Sequence, residues 1–192
     1  MKVKPSTINI IFGIALLIIA VVAATPMLTE SYKQIPLNEK DVYCLARNAY
    51  YEAKGDSQMS QVAVTHVVLN RMHDGKFPKE ACDVVYQKNR NENKQTIVCQ
   101  FSWTCDRSLM TRRIDEKGWA ESLAAVQKAI AMYYQRGVDV TDGATYYHAT
   151  YINPGWRHLQ RITSIGSHIY YKESEYGSTG RSTYEKVVFR TN

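Results

Sequence analysis

The segment from Gln58 to Met72, QMSQVAVTHVVLNRM, constrains the architecture more than any other part of the chain. Ser57 offers a cap ahead of it, and the helix it predicts runs to about His73. Met59, Val62, Ala63, Val64, Val67, Val68, Leu69 and Met72 surround that helix on nearly all sides. A helix that is apolar all round has to be buried, so other elements must enclose it. His66 and Asn70 are four apart and share a face. Polar groups inside a buried helix need partners, and these two read as a satisfied structural pair.

Two further stripes can supply the enclosure. Asn38 offers an N-cap with Asp41 three residues on; Val42, Leu45, Ala46, Ala49 and Ala53 follow at helical spacing until Gly55 stops the helix. Trp119, Leu123, Val126, Ile130, Tyr133 and Tyr134 form a second stripe, closed by Gly137. Between them, Asp74-Gly75 and Pro78 mark a turn, and Cys82 to Gln87 reads as a short helix or strand. Lys88 to Gln95, KNRNENKQ, is polar enough to predict an exposed loop. The texture then changes. Ala144 to Tyr151, ATYYHATY, alternates weakly and predicts a strand or extended wall; Asn153-Pro154-Gly155 is a turn; Ile162 to Tyr171 predicts a strand ending in HIYYK. The fold class is mostly α (α+β), with a short β element.

The N-terminus is of another kind. Ile10 to Ala24, IIFGIALLIIAVVAA, carries no charge, Lys2 and Lys4 precede it, and Pro26 follows. With Ile8 and Asn9 it reaches the roughly 17 residues a membrane helix needs. This predicts a signal-anchor or signal peptide over 1–24, with Ala23 and Ala24 as small residues for cleavage. The lysines stay cytoplasmic and the rest is exported, either held at the inner membrane through residues 8–24 or secreted. A linker over 25–40, a folded unit over 41–172 and a loosely ordered tail over 173–192 complete the organisation. Cysteine usage agrees with export: Cys44, Cys82, Cys99 and Cys105 form an even set, which predicts two disulfides with three possible pairings. No Cys-x-x-Cys pair occurs, so the spacing suits zinc poorly. The net charge of +6 suits an anionic surface, yet Lys and Arg are scattered and no nucleic-acid motif occurs. Tyrosine is over-used, with 14 against 4 Phe and 3 Trp, which suits a wet, partly apolar groove.

Glu52, within AYYEAKGDSQMSQ, sits at the end of the first helix on the edge of its apolar face. Partial desolvation there raises a carboxyl pKa, and a glutamic acid still protonated near neutral pH can protonate a glycosidic oxygen. Ordinary glycosidases use two carboxylates. Asp56 and Asp106 are the nearest candidates for a second, and neither stands out. That leaves a one-carboxylate mechanism, in which the sugar's own hydroxyl attacks and the same glutamate donates a proton and then accepts one.

From about Asp41 to Lys172 the chain resembles the SleB-type cell-wall hydrolase family. The resemblance rests on CLARNAYYEAKGDSQMSQVAVTHVVLNRM, KFPKEACDVVYQ, CQFSWTCD and GATYYHATYINPGW, in that order, as in the bacterial and phage version with cysteines. It implies a small, mostly helical, lysozyme-like domain that cleaves peptidoglycan glycan strands. The bond would be that between N-acetylmuramic acid and N-acetylglucosamine, cut as by a lytic transglycosylase that leaves a 1,6-anhydromuramoyl end, without metal or cofactor. Glu52 falls on the family's catalytic glutamate. Gln100, Phe101 and Ser102 are similar to a groove-lining segment, and Tyr147, His148 and Asn153 would form the opposite wall. Where relatives carry Gly-Gln before the VAV run, this chain has Ser60-Gln61. Two rivals remain. A zinc amidase would draw on His66, His73, His148, His158 and His168, which show no H-E-x-x-H spacing. A non-catalytic membrane-anchored wall binder would need only the export signal and the aromatic residues.

Overall fold

The computed structural model describes residues 35–91 and 95–174. The apolar run, most of the linker and nearly all of the tail lie outside the described residues.

Helix α1, Glu39–Ala53, begins with the expected box: the Asn38 side chain accepts from Asp41 N at 3.0 Å, and Asp41 accepts from Asn38 N at 3.2 Å. Its stripe of Leu45, Ala46, Ala49 and Ala53 is buried. Helix α2, Gln58–His73, is capped by Ser57 and buried without a break from Ser60 to Met72. It packs against both α1 and α5, Glu116–Ile130, which also pack on each other. Helix α5 passes into a π-helical turn, Ala131–Gln135, which brings Tyr133 under α2. His66 and Asn70 are partnered, and their partners come from far along the chain. His66 Nε2 lies 3.1 Å from Ala129 O, and Nδ1 lies 3.1 Å from Asp139 Oδ1. Asn70 donates to Asp139, Thr141 and Ala144, and accepts from Tyr133 Oη.

The β structure departs from the expectation at two places. Residues 88–95 were expected as a loop, but β1, Lys88–Asn91, pairs antiparallel with β2, Thr96–Cys99. An exposed two-stranded ribbon needs no apolar alternation in its outer strand, so the polar run carries no strand signal. The stretch expected as one strand over 162–171 is a hairpin. Strands β4, Leu159–Ile165, and β5, His168–Glu173, are joined by Gly166 and Ser167. Strand β3, Tyr146–Ala149, completes an antiparallel sheet in the order β3–β5–β4.

Gly166 explains the break. Its φ of +57° is the left-handed value that tight hairpins demand. A Cβ there would overlap Ser60 Oγ and Asp56 Oδ2. Asp56 accepts from Ser167 N at 2.8 Å and from Ser167 Oγ at 3.0 Å, so the hairpin turn is clamped to the α1–α2 connection. Gly166→Ala is therefore expected to lower stability by about 1–3 kcal/mol, read as a shifted urea midpoint at unchanged slope.

Short helices α3, Ala81–Val85, and α4, Arg107–Thr111, flank α1. Of the three possible cysteine pairings, the structure has Cys44–Cys82, joining α1 to α3, and Cys99–Cys105. The second closes the loop that follows β2.

Candidate active site

A cleft of about 330 Å³ opens between two walls of unlike construction. One wall is the segment from Val98 to Trp103, continued by Leu109 of α4. It is fixed at three points. The Cys99–Cys105 disulfide clasps it, Gln100 N donates to Gln87 O at 3.0 Å, and the indole of Trp103 donates to Asn48 Oδ1 at 3.0 Å beneath the cleft. The Trp103 ring stacks on Tyr51 with centroids 4.6 Å apart, and Tyr51 Oη donates to Leu109 O. The other wall is β3 and the loop after it, contributing Tyr146 to Ala149, Tyr151, Ile152 and Trp156. Trp156 packs edge-on against His148 and Tyr171, while His148 Nε2 lies 2.9 Å from Tyr171 Oη.

Glu52 projects into this cleft from the last turn of α1, partly exposed. Tyr147 Oη donates to its Oε2 at 2.9 Å. The pairing follows from the fold: α1 ends where the sheet begins to cover α2, and Tyr147 is registered against the fully buried Tyr170 on β5. Burial pushes the Glu52 carboxyl up to about 7, against the opposing pull of the Tyr147 hydrogen bond and the positive charge of Arg71. Desolvation, with the Glu52 charge nearby, holds the Tyr147 phenol well above its ordinary value, so it remains a donor. Among the described residues that line the cleft, Glu52 is the one carboxylate.

The residues expected at the site fall as follows. Glu52, Gln100, Phe101, Ser102, Tyr147 and His148 all line the cleft. Phe101 and His148 are largely buried, and they form the body of the walls. Asn153 is outside the lining. It is exposed and accepts from Gly155 N at 3.1 Å, shaping the turn. Neither aspartate weighed as a second carboxylate reaches the cleft. Asp56 clamps the hairpin, and Asp106 caps α4 through Ser108 N and Leu109 N. Among the described residues no group of three His, Cys, Asp or Glu side chains is placed to hold a metal.

Three further residues line the cleft without having been expected there: Arg71, His168, which was weighed only as a zinc ligand of a rival amidase, and Trp156, which stood within GATYYHATYINPGW. Arg71 belongs to the buried face of α2, yet it lines the cleft. His168 lies at the start of β5, and burial lowers its pKa. Trp156 follows the Asn-Pro-Gly turn. The Asn70-Arg71 pair within the buried run was the available signal, since a buried arginine requires a reason.

Comparison with known proteins identifies the family. A family model described as Cell Wall Hydrolase matches residues 55–171, more than half of the chain; the match begins three residues after Glu52. A spore cortex-lytic enzyme of Halalkalibacterium halodurans is 28% identical over 139 residues, which are 69% of this chain and 35% of that protein. The chain thus spans about a third of the length of that curated relative. Two solved structures are also similar. The catalytic domain of the Bacillus cereus SleB protein gives a TM-score of 0.52 at 26% identity, over 72% of this chain and 94% of that one. The catalytic domain of the germination-specific lytic transglycosylase SleB from Bacillus anthracis gives 0.53 at 27%, over 72% and 100%.

Proposed function

This chain belongs to the cell wall hydrolase family, and from that premise we propose that it cleaves the glycosidic bond between N-acetylmuramic acid and N-acetylglucosamine as a lytic transglycosylase, with Glu52 as its acid and base. The observation that carries the reading is the one carboxylate among the described residues lining the cleft, pushed up by burial to about 7 and given a phenol donor at 2.9 Å. Protonated Glu52 gives its proton to the bridging oxygen, and the bond from that oxygen to muramoyl C1 breaks. Positive charge develops at C1 and the ring oxygen. The 6-hydroxyl of the same sugar attacks C1, and its proton returns to Glu52. No water is consumed, so no second carboxylate is required to activate one. The tyrosine and tryptophan rings of the β3 wall offer flat apolar faces for sugar rings.

The disulfides suit an oxidising compartment, and with the apolar run at 8–24 they support export, with the catalytic unit beyond the inner membrane. The test is mass spectrometry of purified peptidoglycan digested by the full chain. Anhydromuramoyl ends are expected. Reducing muramoyl ends would mean hydrolysis, free stem peptides would mean an amidase, and binding without product would mean a wall-binding protein. Each of these overturns the reading.

A further inference from the structure

Arg71 is buried to 4% exposure, the one lysine or arginine among the described residues to be buried outright. Its Nε donates to Thr145 O at 2.7 Å, which ties α2 to the segment leading into β3. The guanidinium lies between the rings of Phe77 and Phe101, 5.2 Å from each centroid. Those contacts fix its plane and use one of its donors. Nη1 is buried and has no hydrogen-bond partner among the described residues, and Arg71 lines the same cleft as Glu52. A buried unmatched donor is costly and calls for an explanation.

Glu52 supplies one. Among the described residues Arg71 forms no ion pair, and Glu52 has only the Tyr147 hydroxyl. A direct ion pair would hold the carboxyl ionised and ruin it as an acid. With no cation at all, the carboxylate left after proton donation would be stranded beside apolar rings. We propose that Arg71 is a positioning residue for Glu52: it stands off the protonated acid and stabilises the carboxylate formed as the proton leaves, with Nη1 as the waiting donor. This rests on the reading of Glu52 as acid and base.

The other titratable groups around the pair are Tyr146 and Tyr147 of β3 and Tyr170 and His168 of β5. Desolvation, followed by the charges of Asp56 and Glu52, raises the Tyr170 phenol, so it stays neutral. Burial lowers His168, so it too is uncharged near neutral pH. Burial also lowers the Arg71 pKa from its ordinary value, but an arginine keeps its charge at any working pH. Arg71 is therefore the fixed charge of the group.

The test is the pH profile of anhydromuramoyl release from soluble glycan strands by the full chain, for wild type, Arg71→Gln, Arg71→Met, Arg71→Lys and Val62→Ala. Activity falls as Glu52 loses its proton, which gives an alkaline limb. Removing the cation raises the carboxyl pKa, so in the Gln and Met variants the limb moves up by about one pH unit or more. A weaker acid also lowers kcat by roughly tenfold, with KM nearly unchanged. Arg71→Lys returns the limb towards wild type. Val62→Ala, in the separate cluster with Ala125 and Ala129 and outside the cleft lining, loosens the packing and leaves the limb in place. An unmoved limb in the two neutral variants overturns the proposal, as does failure of both to fold, which would make Arg71 a structural residue. Absence of anhydromuramoyl ends from the wild type refutes the transglycosylase reading itself, and that result is visible before any variant is made.

Discussion

Glu52→Gln is expected to lower the rate of glycan cleavage by roughly a thousandfold, the scale of a lost general acid. The fold should survive, because the amide fills the same space and its oxygen still accepts from Tyr147. The stability difference between this variant and its parent has a definite pH dependence. Folding raises the Glu52 pKa from 4.5 to about 7, so between these values the native state binds more protons than the unfolded one. The stability of the wild type therefore falls as pH rises through that window. Glutamine removes the cost of the buried charge. The variant should exceed wild type by about 1–3 kcal/mol at pH 8 and match it below pH 4.5, as read by urea unfolding at the two pH values. A dead enzyme that is more stable than its parent only at high pH would mark Glu52 as a strained functional group. Equal stability at both pH values would mean that the carboxyl is not desolvated.

The largest loss of stability is expected from Asp139→Ala, about 3–5 kcal/mol. Asp139 accepts from Asn70 Nδ2, Thr141 N, Thr141 Oγ1 and Gly143 N at 2.6–2.8 Å, and faces His66 Nδ1 at 3.1 Å. Burial alone would raise its carboxyl, but the hydrogen bonds from His66, Gly143 and Thr141 outweigh burial and hold it well below the usual range. A depressed carboxyl stabilises the fold above its unfolded pKa, near 4, and that contribution is lost as the pH falls through the native value. Alanine would strand these donors inside the helical core. The difference between variant and parent in thermal unfolding should shrink steadily below pH 4. Asp139→Asn should be intermediate, since it keeps one acceptor and sets an NH2 group against donors.

Helix α2 was legible because its burial leaves no polar face, and the Asn38 box and Gly55 fixed the ends of α1. His66 and Asn70 read as a partnered pair, but their partner did not, because Asp139 is about seventy residues away in a loop without pattern. Neither strand-level departure was accessible to periodicity. Lys88–Asn91 is held by cross-strand bonds rather than by an apolar face, and the β4–β5 break depends on one glycine lodged against Asp56. At the cleft, Glu52 was visible from its place on the helix edge and from the resemblance. Arg71 was hidden because a residue in a buried run gives no sign of which cavity it borders. Asn153 came in with its motif; in the structure it lies outside the cleft lining and its side chain accepts from Gly155 N.

The clamp of Asp56 on Ser167 has a consequence for how this protein can fail. The sheet sets Tyr147 opposite Tyr170, and strand side chains alternate between faces, so a slip of one residue would carry the phenol away from Glu52. The clamp ties the hairpin turn to the loop directly after Glu52, the proposed proton donor, so the hairpin and that residue are held by a single short stretch of chain. A weakened clamp would therefore yield a silent conformer before an unfolded one: soluble, helical, disulfide-bonded and unable to cut.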